Sequence, residues 1–166
     1  MIAAIFPGQG AQAVGMGKAL SERFATARRA FEEADGALGY PLSQVCFEGP
    51  AERLTQTDVC QPALVATSIA AWRVASEAGL RPGLVLGHSL GEYSALVAAG
   101  AMGYAEALRI VAERGAAMRA AGRAAPGTMA ATTPGRWPTR RARSGRRTST
   151  APARWWSPAR STASSG

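Results

Sequence analysis

The stretch LVLGHSLGEYSALVAAG, residues 84–100, decides the fold class of this chain. Its first three residues form a short apolar run that is typical of a buried strand. The segment from Leu90 to Ala99 is rich in small residues and ends at Gly100, which predicts a helix. A strand that turns sharply into a helix through glycines is characteristic of α/β proteins.

The turn between the two elements, Gly87-His88-Ser89-Leu90-Gly91, fits the G-x-S-x-G pattern of a nucleophile elbow. A reactive serine must stand exposed on such a turn, so small residues are needed two positions before and after it. The start of the following helix supplies N–H groups and a positive dipole end for an oxyanion. We therefore predict Ser89 as a candidate nucleophile. The alternative is that Ser89 merely caps the helix, because serine is a favoured N-cap residue.

Outward from this stretch, strands and helices alternate. A short apolar run, Ile2–Phe6, predicts a first strand. Helices are predicted over residues 17–38, over residues 62–78 with Pro62 at the first helical position, and over residues 104–119. Residues 43–60 are predicted to hold a loop and a short helical turn. This order implies a parallel sheet covered by helices.

The basic charge of the chain is confined to its end. The net charge is +8, yet all 11 acidic residues lie at or before Glu113. Up to Met118 there are 9 Lys and Arg residues against those 11 acids, a net charge of −2. From Arg119 onward there are 10 Arg residues and no acid. The net positive charge is therefore carried by residues 119–166, whereas residues 1–118 are slightly acidic.

Residues 132–166 differ in composition from the rest and contain no Leu, Ile, Val or Phe. A segment rich in Arg, Ser, Thr and Pro cannot bury enough apolar area to offset its ordering entropy, so we predict a disordered tail. Its origin has three interpretations: a nucleic-acid-binding tail, a natural low-complexity terminus, or translation of GC-rich coding DNA in an alternative frame. The abrupt change after Ala131 favours the frameshift. Translating the other two frames beyond that point tests it.

The remaining composition favours one cytoplasmic domain. A chain of 166 residues with 47% hydrophobic residues has a length and apolar content suited to one domain. No apolar run approaches the roughly 18–20 residues needed to span a bilayer, so no membrane association is expected. Met1–Gly10 lacks the features of a signal peptide. With Cys46 and Cys60 as its only cysteines, the chain is expected to hold two free thiols and no metal.

Several motifs at consistent spacing together carry a resemblance to a known family. In chain order they are Phe6-Pro7-Gly8-Gln9-Gly10, Gly15-Met16-Gly17, Gln61-Pro62-Ala63-Leu64, the segment from Gly87 to Leu96, Glu113-Arg114-Gly115, and Pro126-Gly127-Thr128-Met129-Ala130-Ala131. In these motifs the sequence resembles the malonyl-CoA:acyl-carrier-protein transacylase family, which also supplies the acyltransferase domains of fatty-acid and polyketide synthases. The resemblance covers about residues 2–131, which we interpret as the N-terminal part of such a domain.

The resemblance implies a ping-pong transfer of a malonyl group. Ser89 attacks the thioester of malonyl-CoA, coenzyme A leaves, and the malonyl ester passes to the phosphopantetheine thiol of an acyl carrier protein. The backbone N–H groups of Gln9 and Leu90 match the family's oxyanion hole. Arg114 matches the arginine that holds the malonyl carboxylate, a task suited to a planar guanidinium. Without the family, Arg114 indicates only a solvated helix charge. No cofactor is implied besides the substrate.

The chain departs from the family pattern in its second half. The family's general base is a histidine far downstream, whereas His88 is the only histidine here. Adjacent side chains on a sharp elbow diverge, so His88 is not expected to serve Ser89 as a base. The family's α/β-hydrolase-like domain also holds a ferredoxin-like insert after the region of residues 127–131. Because the insert and the C-terminal completion are missing, we expect a truncated, impaired chain with exposed apolar faces.

Two rival functions remain at this point. A generic serine esterase of the α/β-hydrolase type explains the elbow but neither Gln9 nor Arg114. A non-catalytic fragment that binds nucleic acid through its basic tail predicts an affinity that falls steeply with salt and survives Ser89→Ala. The tail tryptophans show no regular spacing with the arginines, so binding to nucleic acid is not expected.

Overall fold

A parallel pair of strands brings together the two loops that carry predicted site residues. In the computed structural model, which describes residues 1–124, β1 (Ala3–Phe6) pairs with β2 (Leu84–Gly87). Ala3 lies opposite Leu84, and Phe6 lies opposite Gly87. The predicted α/β class with a parallel sheet is therefore confirmed. Because paired parallel strands end at the same edge, the segments that follow Phe6 and Gly87 emerge side by side.

Helices fill the connection between the strands and the chain after them. Five helices precede β2: α1 (Lys18–Arg23), α2 (Ala25–Leu38), α3 (Leu42–Glu48), α4 (Ala51–Leu54) and α5 (Thr57–Glu77). Two follow it: α6 (Gly91–Ala98) and α7 (Tyr104–Ala124). None of these seven described helices is long and apolar enough to cross a membrane. The predicted tail, residues 132–166, lies outside the described part of the chain.

The single helix predicted over residues 17–38 is wrong, because the chain forms two helices there. Phe24 adopts an extended conformation with φ −124° and ψ 120°, and it separates α1 from α2. The segment contains no proline, and its glycines lie elsewhere, so the break has no local signal. The apolar periodicity continues across it because Ala27, Phe31 and Ala34 still point into the core.

The predicted start of the next helix at Pro62 is also wrong. The helix α5 begins at Thr57 and contains Pro62 in its interior. A proline there leaves the carbonyl four residues earlier without its helical hydrogen bond. The extra turn is nevertheless favourable because it buries Val59 and Cys60 completely, and burial of such apolar side chains contributes about 1.5–3 kcal/mol each.

The hydrophobic core is organised around α5, which packs against both α2 and α7. Ten residues of α5 are buried, and one of them, Gln61, is polar. The largest completely buried apolar side chains include Phe31, Leu42 and Leu108. A helix that is buried over so much of its surface serves as a fixed support for the side chains on α7.

The two thiols are free, as the sequence predicts, and the structure shows that both are buried. They make the stability of the fold sensitive to alkaline pH. Burial raises the pKa of Cys46 to about 12, with the Asp35 carboxylate adding to the rise. Burial raises the pKa of Cys60 to about 11. Thiols in the unfolded chain ionise near their ordinary value of about 9. Above that pH the unfolded state releases protons that the folded state keeps.

We therefore expect the free energy of unfolding to be independent of these thiols below about pH 9. Between about pH 9 and 10, before the raised pKa values of Tyr40 and Tyr104 add to the effect, it should fall by up to about 1.4 kcal/mol per pH unit for each thiol. Urea unfolding at a series of pH values measures the slope. The variant Cys46→Ala should show roughly half of it, and an unchanged slope in that variant would contradict the assignment.

Candidate active site

The turn after β2 is as tight as a nucleophile elbow requires. A methyl group on Gly87 would overlap the backbone of Gly91, and one on Gly91 would overlap the carbonyl oxygen of Phe6. Ser89, between these glycines, has a φ of 53°, the left-handed region that residues other than glycine rarely adopt. Such strain clusters at functional sites and is retained when the surroundings enforce it. The geometry fits the predicted role of Ser89.

The capping alternative for Ser89 does not fit the structure. The helix α6 begins at Gly91, its N-cap position is Leu90, and no side chain caps it. Ser89 is exposed, and its Oγ accepts a hydrogen bond from Nη2 of Arg114 at 3.4 Å. The hydroxyl group is therefore directed to the arginine predicted for the site.

The His88 side chain packs against the loop that follows β1. A methyl group placed on Gly8 would lie 2.8 Å from Nδ1 of His88, so the imidazole packs against the loop after β1. The backbone N–H of His88 donates to the carbonyl oxygen of Phe6 at 3.1 Å. Within residues 1–124, the imidazole makes no hydrogen bond to Ser89. His88 thus has a structural place in the elbow and not that of a general base.

Gln9 and Leu90 lie on the two loops that meet at the elbow. The Gln9 side chain is half-buried, and its Nε2 donates to Oγ1 of Thr57 at 3.5 Å. The Leu90 side chain is buried and anchors the start of α6. Among the described residues, the backbone N–H groups of Gln9 and Leu90 donate to no protein acceptor. Both are therefore available to a developing oxyanion, as the prediction for these two residues requires.

Arg114 is held in place by a buried side chain. Its Nη1 donates to Oε1 of Gln61 at 2.7 Å, while Nη2 reaches Ser89. Gln61 is completely buried. The close approach of α7 to α5 depends on Gly115, where a methyl group would lie 2.6 Å from the Thr57 carbonyl oxygen. The reading of Arg114 as a solvated helix charge is therefore wrong.

Gln61 is the site residue that sequence reasoning missed. It belongs to the quoted Gln61-Pro62-Ala63-Leu64 motif, but no role was assigned to it. The available signal was a polar side chain flanked by apolar residues, Val59 and Cys60 before it and residues 62–66 after it, which indicates a buried group with a specific hydrogen-bond partner. The identity of that partner, 53 residues away on α7, could not be obtained from a local pattern.

The positive charge of Arg114 has no acidic partner among residues 1–124. The ion pairs of this part of the chain join Arg73 to Glu33 and Arg119 to Asp58, both at 2.7 Å. A guanidinium that is fixed but not neutralised attracts an anion, and its planar donors suit a carboxylate. The arrangement therefore combines an exposed serine hydroxyl, two free N–H groups and an adjacent cation.

Comparisons with known proteins agree with this arrangement. The family model described as "Acyl transferase domain" matches residues 4–165. The malonyl CoA-acyl carrier protein transacylase of Bacillus subtilis (strain 168) is 52% identical over 130 residues, which are 78% of this chain and 41% of that protein. The chain spans about two fifths of the length of the relatives that it matches.

Solved structures of proteins named as malonyl transferases are also similar to this chain. The acyl-carrier-protein-S-malonyltransferase of Bartonella henselae has a TM-score of 0.70 and 52% identity, covering 73% of this chain and 40% of that one. A structure of a type II PKS acyl-carrier protein in complex with its malonyl-transacylase matches with a TM-score of 0.69 and 48% identity. It covers 72% of this chain and 39% of that one. The similarity is thus one of fold and of sequence.

Proposed function

Because this chain belongs to the acyl transferase domain family, we propose that it carries the serine-bearing part of a malonyl-CoA:acyl-carrier-protein transacylase. The observation that supports this most directly is the Arg114 guanidinium, which has no acidic partner within residues 1–124 and lies 3.4 Å from Oγ of Ser89. An acyl group that ends in a carboxylate can bind that cation while its thioester carbon lies at the serine. The proposed substrate is malonyl-CoA, and no cofactor takes part.

In the proposed first step, Oγ of Ser89 bonds to the thioester carbon while the bond from that carbon to the sulfur of coenzyme A breaks. The serine gives up its proton, and the departing thiolate takes one up, so the step is balanced. The N–H groups of Gln9 and Leu90 stabilise the negative charge on the carbonyl oxygen. In the second step, the phosphopantetheine sulfur of an acyl carrier protein bonds to the ester carbon while the bond from that carbon to Oγ of Ser89 breaks; the thiol gives up its proton and the serine oxygen takes one up.

The general base is the part of this chemistry that the chain does not supply. His88 packs against Gly8, and the sequence holds no other histidine. A serine without a base is a weak nucleophile at neutral pH. We propose that acylation of this chain is slow and that a small base in solution accelerates it. The impaired activity and the cytoplasmic location expected from the sequence remain predictions.

Mass spectrometry after incubation with malonyl-CoA tests the proposal. We expect one malonyl group on the peptide that contains Ser89, formed faster when imidazole is added as a base. Ser89→Ala should abolish the adduct, whereas Ser94→Ala, on the following helix, should retain it. Absence of an adduct on the wild-type chain, even with imidazole, would contradict the proposal.

The acceptor that takes the malonyl group from Ser89 distinguishes this function from its rivals. A transacylase passes the malonyl group to an acyl carrier protein faster than to water, whereas an esterase of the same fold releases malonate. The Arg114 guanidinium beside Ser89 favours the transacylase, because hydrolysis of an uncharged ester has no need of a cation at the serine. A nucleic-acid-binding function would leave Ser89 dispensable.

A further inference from the structure

We propose that Gln61 is a positioning residue that makes the site select acyl groups bearing a carboxylate. This inference rests on the proposed malonyl transfer at Ser89 and concerns how the charge of Arg114 is kept available. Gln61 acts through Arg114 by fixing one nitrogen of the guanidinium. The other nitrogen is thereby directed to Ser89, where the substrate carbon reacts.

The orientation of the Gln61 amide is set by two contacts to α7. Its Oε1 accepts from Nη1 of Arg114 at 2.7 Å, and its Nε2 lies 3.3 Å from Sδ of Met118. Arg114 and Met118 are four residues apart and therefore neighbours on one face of the helix. Because sulfur accepts hydrogen bonds and a guanidinium only donates them, the amide has one favourable orientation. A completely buried side chain with both ends engaged holds its partner rigidly.

The neutrality of this support is what preserves the charge. A glutamine oxygen fixes the guanidinium by a hydrogen bond but leaves its positive charge uncompensated. A carboxylate in the same place would form a buried ion pair and compete directly with the carboxylate of the substrate. The residue at position 61 therefore decides whether Arg114 can distinguish malonyl from an uncharged acyl group.

The nearest acid on the same helix is kept out of this contact. Asp58, one turn before Gln61, is bound through Oδ2 to Nη1 of Arg119 at 2.7 Å. Arg119 thus takes the acidic partner and Arg114 the neutral one. This distribution of partners leaves the guanidinium beside Ser89 without an acidic partner among residues 1–124.

Paired binding measurements on the full 166-residue chain test the inference. Equilibrium binding of malonyl-CoA and of acetyl-CoA is measured for the wild type, Gln61→Glu and Gln61→Met. Gln56→Glu is the matched control, because Oε1 of Gln56 also accepts from an arginine, Arg53, but in a solvent-exposed hydrogen bond that does not involve Arg114. Thermal unfolding of each variant checks that it folds.

We expect the wild type to bind malonyl-CoA more tightly than acetyl-CoA. In Gln61→Glu the ratio of the two affinities should fall at least about tenfold, while the affinity for acetyl-CoA changes less than about twofold. Gln61→Met, which releases the guanidinium without adding charge, should show a smaller fall, and Gln56→Glu none. A purely structural role would weaken both ligands equally. That result, or an unchanged ratio in both Gln61 variants, overturns the inference. A wild type without any preference overturns the proposed function itself.

Discussion

Replacing Arg114 with methionine is expected to lower the affinity for malonyl-CoA on the order of a hundredfold while leaving acetyl-CoA binding nearly unchanged. A hydrogen bond to a charged group contributes about 1.5–3 kcal/mol, and the guanidinium can offer more than one. Methionine retains much of the length and apolar stem of arginine, so packing between α5 and α7 should survive. The loss should therefore be confined to the ligand that carries a carboxylate.

The measurement is equilibrium binding of the two thioesters to the same protein at fixed ionic strength, because salt screens exposed charges. Arg109→Met is the matched control, since Arg109 is exposed on the same helix. Arg114→Lys should fall between the wild type and methionine, because an ammonium keeps the charge but not the planar pair of donors. Equal weakening of both ligands in Arg114→Met would show that the arginine supports the fold and does not select the substrate.

The elbow could be predicted from the sequence because its pattern of two glycines around a serine is local. A methyl group on Gly87 would overlap the backbone of Gly91 within the same turn, whereas the contact that requires Gly91 is made by Phe6 of the neighbouring strand and is visible only in the structure. The oxyanion and carboxylate roles of Gln9, Leu90 and Arg114 came from resemblance. The structure brings their loops and helix together, although their roles await the experiments above.

The features that could not be predicted depend on contacts between distant segments. The break at Phe24 contains no helix-breaking residue, and the first turn of α5 forms because Val59 and Cys60 gain burial. The contact between Gln61 and Arg114 depends on Gly115, which lets two helices approach closely. Tertiary packing of this kind overrides local preference and leaves little trace in a single sequence.

Replacing Gly91 with alanine is expected to destabilise the fold by at least about 3 kcal/mol. The new methyl group would overlap the carbonyl oxygen of Phe6 and lie 2.8 Å from that of Pro7. Both neighbours are backbone atoms, so no side chain can rotate away. The hydrogen bond from the His88 N–H to the Phe6 oxygen, at 3.1 Å, fixes the same two segments against each other. The steric overlap can be relieved only if the two strands or the two loops move apart.

The same substitution at Gly36 provides the control. Gly36 lies inside α2, and nothing stands within 4 Å of the position that a methyl group would occupy. There, alanine should stabilise the protein by about 0.5–1 kcal/mol because it restricts the unfolded chain and favours the helix. Urea unfolding followed by circular dichroism compares the two variants with the wild type. If Gly91→Ala lay within about 1 kcal/mol of Gly36→Ala, the loops could separate cheaply, and the N–H groups of Gln9 and Leu90 would not be held for an oxyanion.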